Sequence, residues 1–145
     1  MEELQKVLAK NKYKKIKFKV TKTQHLLIKT KINGIKGNFI LDTGASNSCI
    51  GFESIEYFNM VTSESKTKAS GAGATDMRTL LSKENKIEIG RWKQEVFALV
   101  VFDLSHINEA LKQHKTKPVH GIIGADVLQK GKSIIDYYNH CFYLK

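Results

Sequence analysis

The sequence predicts a single, mostly-β domain, and three observations carry that reading. Ile16, Phe18 and Val20 alternate with lysines, the period-two pattern of a strand with one wet face. Asn33-Gly34 lies between Ile32 and Ile35, and that dipeptide between apolar residues favours a tight two-residue hairpin. Val96 to Phe102 is a continuous apolar run of strand length, which suggests a strand buried on both faces.

Taken in order, residues 2–12 place Leu4, Val7 and Leu8 on one face of a short helix. Strands follow at 16–20 and 25–32, and after the Asn33-Gly34 turn a return strand rises to Leu41. A short helix is expected from Phe52 to Asn59. Residues 62–76 are small and polar, centred on Ser70-Gly71-Ala72-Gly73-Ala74, and suggest a mobile hairpin tip. Two strands flank Gly90 within 86–102. Asp103 or Ser105 can cap a helix that runs to about Gln113, before Pro118. Val119 to Leu128 reads as a strand entering a short helix with Gly131 as its C-cap. The segments 133–137 and 140–144 form a final hairpin around Tyr138-Asn139.

At 145 residues and 41% apolar content the chain can bury one core without disulfides or metal. It has no apolar run long enough to span a bilayer and no secretory h-region at its start. Cys49 and Cys141 form no CxxC pair, and two reduced thiols in a cytoplasmic protein are expected. The net charge of +10 is uneven: residues 1–36 carry eleven lysines and two acids, a net of +9, and the rest is nearly neutral. Residues 1–20 are therefore read as a basic N-terminal arm. Such an arm can meet an acidic partner or nucleic acid. With only Tyr13 and Phe18 as aromatics it lacks the stacking pattern of single-strand binders, so a solvated lysine-rich face is the expectation.

The chemistry is carried by Phe39-Ile40-Leu41-Asp42-Thr43-Gly44-Ala45-Ser46. An apolar strand delivers a carboxylate into a loop of small residues, where a hydroxyl and loop amides can fix it and another backbone can approach. Asp42-Thr43-Gly44-Ala45-Ser46 resembles the active-site loop of the aspartic peptidases. Ile122-Ile123-Gly124, within Gly121 to Leu128, matches the family's second apolar pair and glycine, which pack beneath that loop. Gly71-Ala72-Gly73 falls between the two, where the family carries its flap. The order matches one retropepsin-like subunit over roughly residues 24–145.

The resemblance implies a closed acid-protease β barrel with two or three short helices, its domain spanning residues 21–145. Pepsin-like enzymes carry two such loops in one long chain, whereas this chain has one, so a homodimer is implied. Where retroviral proteases often carry an acid after Asp-Thr-Gly-Ala and an arginine after Ile-Ile-Gly, this chain has Ser46-Asn47-Ser48 and Asp126. The ion pair built from those positions is not carried over, and the pattern is closer to cellular, plausibly bacterial, retropepsin-like proteins. The implied reaction is peptide-bond hydrolysis by a water activated between two Asp42 carboxylates that share one proton. Asp42 is the implied acid/base. Thr43 and Gly44 brace the loop, Ala45 and Ser46 line the substrate cleft, and Gly71, Ala72 and Gly73 cover it. No metal or cofactor is implied. The same fold could instead serve as a dimeric peptide-binding or scaffold module with little hydrolysis.

Other readings fit less well. Asp-Thr-Gly alone is turn chemistry. The phosphate loop of actin-like kinases needs two lobes that 145 residues cannot build. Gly71-Ala72-Gly73 is followed at the last dinucleotide-fingerprint position by Asp76, not glycine. The five histidines show no HExxH or zinc spacing. Trp92 is expected to pack, and Asp126 to hydrogen-bond near a helix start.

Overall fold

The computed structural model describes residues 2–64, 69–71 and 74–145. Helix α1 (Glu2–Lys10) is followed by β1 (Lys14–Lys17) and β2 (Lys19–Val20). The expected strand at 16–20 is thus split at Phe18. Its amide donates to the carbonyl of His140 at 3.0 Å, so the chain leaves one sheet and enters another there. Within the basic segment, Ile16 and Phe18 are buried while Lys15, Lys17 and Lys19 stay exposed, as the alternation requires.

Strands β3 (Leu26–Ile32) and β4 (Ile35–Leu41) form the expected hairpin, in register from Leu26 opposite Leu41 to Ile32 opposite Ile35. Asn33 (φ 53°) and Gly34 (φ 84°) are both left-handed, the geometry that a two-residue turn matched to strand twist demands. Strand β5 (Cys49–Gly51) follows, then a short 3₁₀ turn at Phe52–Ser54. The expected helix to Asn59 does not form. The 3₁₀ turn gives way to irregular turns that drop Phe58 into the core and hold the Tyr57 hydroxyl on the Lys36 carbonyl.

Next come β6 (Ser63–Glu64), β7 (Ala69–Gly71), β8 (Ala74–Met77), β9 (Leu80–Ile89) and β10 (Trp92–Phe102). Helix α2 (Ser105–Gln113), β11 (Gly121–Ile123), α3 (Ala125–Lys130), β12 (Ile134–Asp136) and β13 (Cys141–Leu144) complete the chain. Six strands close a barrel in the order β3-β4-β11-β5-β10-β9 and back to β3, which pairs with β9 through Lys31–Glu88 and Ile32–Ile87. Closure leaves no barrel strand as an edge over its whole length. A separate sheet, β1-β13-β12, stands beside it, and β7 and β8 pair as a two-stranded hairpin. The fold is therefore mostly β, with a closed barrel and three helices.

The core inside the barrel includes Phe39, Phe58, Ile50, Ile87, Ile89, Leu99 and Ile123, all fully buried. A second cluster lies outside it: Ile40, Cys49 and Ile122 pack beneath Leu104, Leu111 and Val119. Strands β5 and β11, and the end of β4, are therefore buried on both sides. The run 96–102 differs from expectation. Phe97, Leu99 and Val101 are buried, but Val96 is 67% exposed and Ala98 is also exposed. Only Val100 and Phe102, near α2, find cover on the outer side. The N-cap position of α2 is Leu104, with no side-chain cap bond, so neither Asp103 nor Ser105 caps as expected; the Asp103 carboxylate instead accepts from the Ser105 amide at 2.8 Å just ahead of the helix. Gly131 sits at the end of α3 at φ −86°, so it is not a left-handed cap. A Cβ there would lie 2.6 Å from Leu144, and close approach is what calls for glycine. Cys49 and Cys141 are both free and buried. Among the described residues no helix is long and apolar enough to cross a membrane.

Candidate active site

Strand β4 carries Phe39, Ile40 and Leu41 into the core and leaves Asp42 exposed at its end. The chain loops through residues 42–48 and returns as β5. Strand β11 threads between these two arms, parallel to β4 and antiparallel to β5. This placement requires Gly121. A Cβ there would lie 2.2 Å from the Cys49 carbonyl oxygen and 2.6 Å from the Phe39 ring. Gly124 is required for the same reason, since its Cβ would meet the Ala45 carbonyl oxygen at 2.5 Å.

The loop is then stitched down. The Asp42 amide donates to the Ile123 carbonyl at 2.9 Å, and the Ala125 amide donates to the Ala45 carbonyl at 2.7 Å. The Asp42 carboxylate accepts from the Gly44 amide through Oδ1 at 2.8 Å. Its Oδ2 has no hydrogen-bond partner among the described residues of the chain. Gly44 is not in the left-handed region. Its lack of a side chain instead keeps the space beside the carboxylate open, for a Cβ would lie 3.2 Å from Asp42 Oδ1.

Ser48 and Asp126 form an anchor that sequence reasoning divided between a loop residue and a helix start. Ser48 is fully buried. Its hydroxyl donates to Asp126 Oδ1 at 2.6 Å and accepts from the Gly124 amide at 2.8 Å. Its amide donates to Asp126 Oδ2 at 2.9 Å, and the Val127 amide donates to Oδ1 at 2.8 Å. Both Asp126 oxygens are thus used, and the far end of the loop is clamped to the first turn of α3. Beneath it, burial pushes the Cys49 thiol up to about 12, so this cysteine is an inert packing group.

His120 precedes β11 and clamps β4 from the other side. Its amide donates to the Asn38 carbonyl at 2.8 Å, and its Nδ1 accepts from the Asn38 amide at 3.0 Å. Tyr57 stacks on its ring at 4.9 Å. Burial is the largest influence and depresses its proton affinity, and the Lys29 charge acts in the same direction.

The expected site residues fall as follows. Thr43 and Ser46 are exposed beside Asp42, and Ala45 is half-buried over Gly124. The Thr43 hydroxyl makes no hydrogen bond among the described residues of its own chain. Gly71 lies on β7 opposite Ala74 of β8. Ala72 and Gly73 lie outside the described residues.

The sequence profile of the family described as aspartyl protease matches residues 28–127. No curated protein sequence matches the chain. The fold is similar to a crystal structure of a retropepsin-like aspartic protease from Rickettsia conorii, at 18% identity and TM-score 0.61, covering 91% of this chain and 90% of that one. It is similar to a retroviral protease-like domain of Ddi1 from Leishmania major, at 19% identity and TM-score 0.56, covering 88% and 90%. It is also similar to the EIAV protease in complex with the inhibitor HBY-793, at 22% identity and TM-score 0.54, covering 71% and 84%.

Proposed function

The chain belongs to the aspartyl protease family, and from that premise we propose that it is an aspartic endopeptidase that works as a homodimer. The observation that carries this reading is the state of Asp42. It is an exposed carboxylate on an anchored loop, with one oxygen held by the Gly44 amide and the other without a hydrogen-bond partner among the described residues. One carboxylate cannot be acid and base at once. Two, brought together by a two-fold axis, share a proton. The ionised partner takes a proton from water, that water attacks the peptide carbonyl, and the protonated partner donates to the carbonyl oxygen. Thr43, exposed with its hydroxyl uncommitted, braces the loop against its mate. Ala45 and Ser46 flank the substrate, and the β7–β8 hairpin lies over it in strand fashion.

The test is incubation of the purified chain with a diverse peptide pool in ¹⁸O-labelled water at mildly acidic pH. The reading predicts new C-termini carrying one ¹⁸O from the attacking water, absent with Asp42→Asn. Peptide binding without cleavage would instead identify a dimeric binding module.

A further inference from the structure

The barrel wall formed by β3, β4, β9 and β10 presents lysines on its outer face. Lys31 stands opposite Lys36 of β4 and Glu88 of β9, and Lys93 of β10 also stands opposite Glu88. Lys29 and Lys86 sit two residues along the same faces of their strands. Of these five lysines, two lie within ion-pair reach of Glu88. Glu88 is already shared between Lys86 at 3.6 Å and Lys93 at 3.9 Å. Lys29 is turned to the Asn38 side chain. Lys31 and Lys36 form no ion pair among the described residues, although like charges directly opposite each other disfavour the sheet.

A cleft of about 210 Å³ opens on this wall, lined by Lys29, Thr30, Lys31, Lys36, Glu88 and Gly90. Its origin is a split in the sheet. β2 pairs with β3 only at Leu26 and Leu27, and β9 pairs only at Lys31 and Ile32, so no described strand pairs with residues 28–30 on that side. Thr30 is 1% exposed, its side chain on the inward face of β3 with Ile28 and Ile32, opposite to Lys29 and Lys31.

From this arrangement we propose that the outer face of β3, β4 and β9 is a docking surface for an acidic polypeptide segment in extended conformation. Lys29 and Lys31 lie roughly 6.6 Å apart along the strand, the repeat at which alternate side chains of an extended peptide present their carboxylates. Such a peptide also brings backbone donors and acceptors to the split sheet. None of the strand positions named is aromatic, and Tyr57 at the border is already stacked on His120, so the face offers no platform for bases. Lys36 is six residues along β4 from Asp42, roughly 20 Å, so the surface is separate from the candidate active site and does not depend on hydrolysis.

The probe is a fluorescein-labelled decaglutamate peptide, followed by anisotropy at low salt, with labelled decathymidylate as comparison. Wild-type protein should bind the peptide more tightly than the oligonucleotide, with affinity falling as salt is added. Lys31→Gln with Lys36→Gln, which removes a like-charge pair and should fold, should weaken peptide binding at least about tenfold. Equal affinity in wild type and variant would overturn the proposal, as would tighter binding of the oligonucleotide.

Discussion

The role proposed for Asp42 rests on a loop held from several sides: its own amide and the Ala45 carbonyl are bonded to β11 and α3, and Ser48 is bonded to Asp126. Asp42→Asn keeps the shape and the Gly44 contact but removes the titrating group. We expect hydrolysis to fall by at least about three orders of magnitude, or ~4 kcal/mol of transition-state stabilisation, with an unchanged melting curve. Cleavage by the variant at the wild-type rate would contradict this. Asp126 acts one step back, as an anchor. Asp126→Ala strips Ser48 of two acceptors and Val127 of one, so chemical denaturation should report a loss of about 1–3 kcal/mol. Wild-type stability in that variant would show that the clamp is idle. The passage from an apolar strand into a small-residue loop at Asp42 was legible in the sequence because Phe39 to Ala45 is a local signal. Ser48 was not, because it is one of three polar residues in a row and its partner lies 78 residues away. Only the fold joins them.

Among the elements, those specified locally were the readable ones. The Asn33-Gly34 hairpin, the strand-to-helix passage at 121–130 and the terminal hairpin all form where turn chemistry and periodicity put them. Phe52 to Asn59 had helical composition, but burial of Phe58 and the Tyr57–Lys36 bond overrode it. Residues 96–102 read as buried on both sides because composition does not reveal where α2 ends its cover. Helix α1 is tied down by Leu8, which packs on Cys141 and Tyr143. Leu8→Ala should therefore cost about 2 kcal/mol in urea denaturation, whereas a freely solvated arm would show no change. The His120 clamp between β4 and β11 adds a pH term. Its folded proton affinity lies below the ordinary histidine value. The unfolded chain thus binds the proton first, and this contribution is full above the ordinary histidine range and lost as pH falls through it. His120→Asn keeps an acceptor for the Asn38 amide but does not titrate. The melting temperature of wild type relative to this variant should fall between about pH 7 and 5. A constant difference would show that His120 is not linked to stability.

At the scale of the whole molecule, one chain holds one Asp-Thr-Gly loop, and the site as proposed exists only in a pair. A shared-proton pair titrates in two macroscopic steps, so activity should be bell-shaped in pH with its optimum below neutral. An optimum well above neutral would count against it. Each chain carries +10, so association works against charge repulsion, and moderate salt should favour it. The proposal of a partner comes from the sequence, in which Asp-Thr-Gly occurs once. The sequence could not reveal the surface that the partner covers, because pairing geometry is a property of folded faces. The most direct measurement mixes wild type with Asp42→Asn at fixed total protein, allows subunits to exchange, and reads hydrolysis. If two Asp42 carboxylates form one site, activity follows the square of the wild-type fraction, and an equal mixture retains about a quarter of the pure wild-type rate. Retention of about half, a linear dependence, would mean that each chain acts alone and would contradict the paired site.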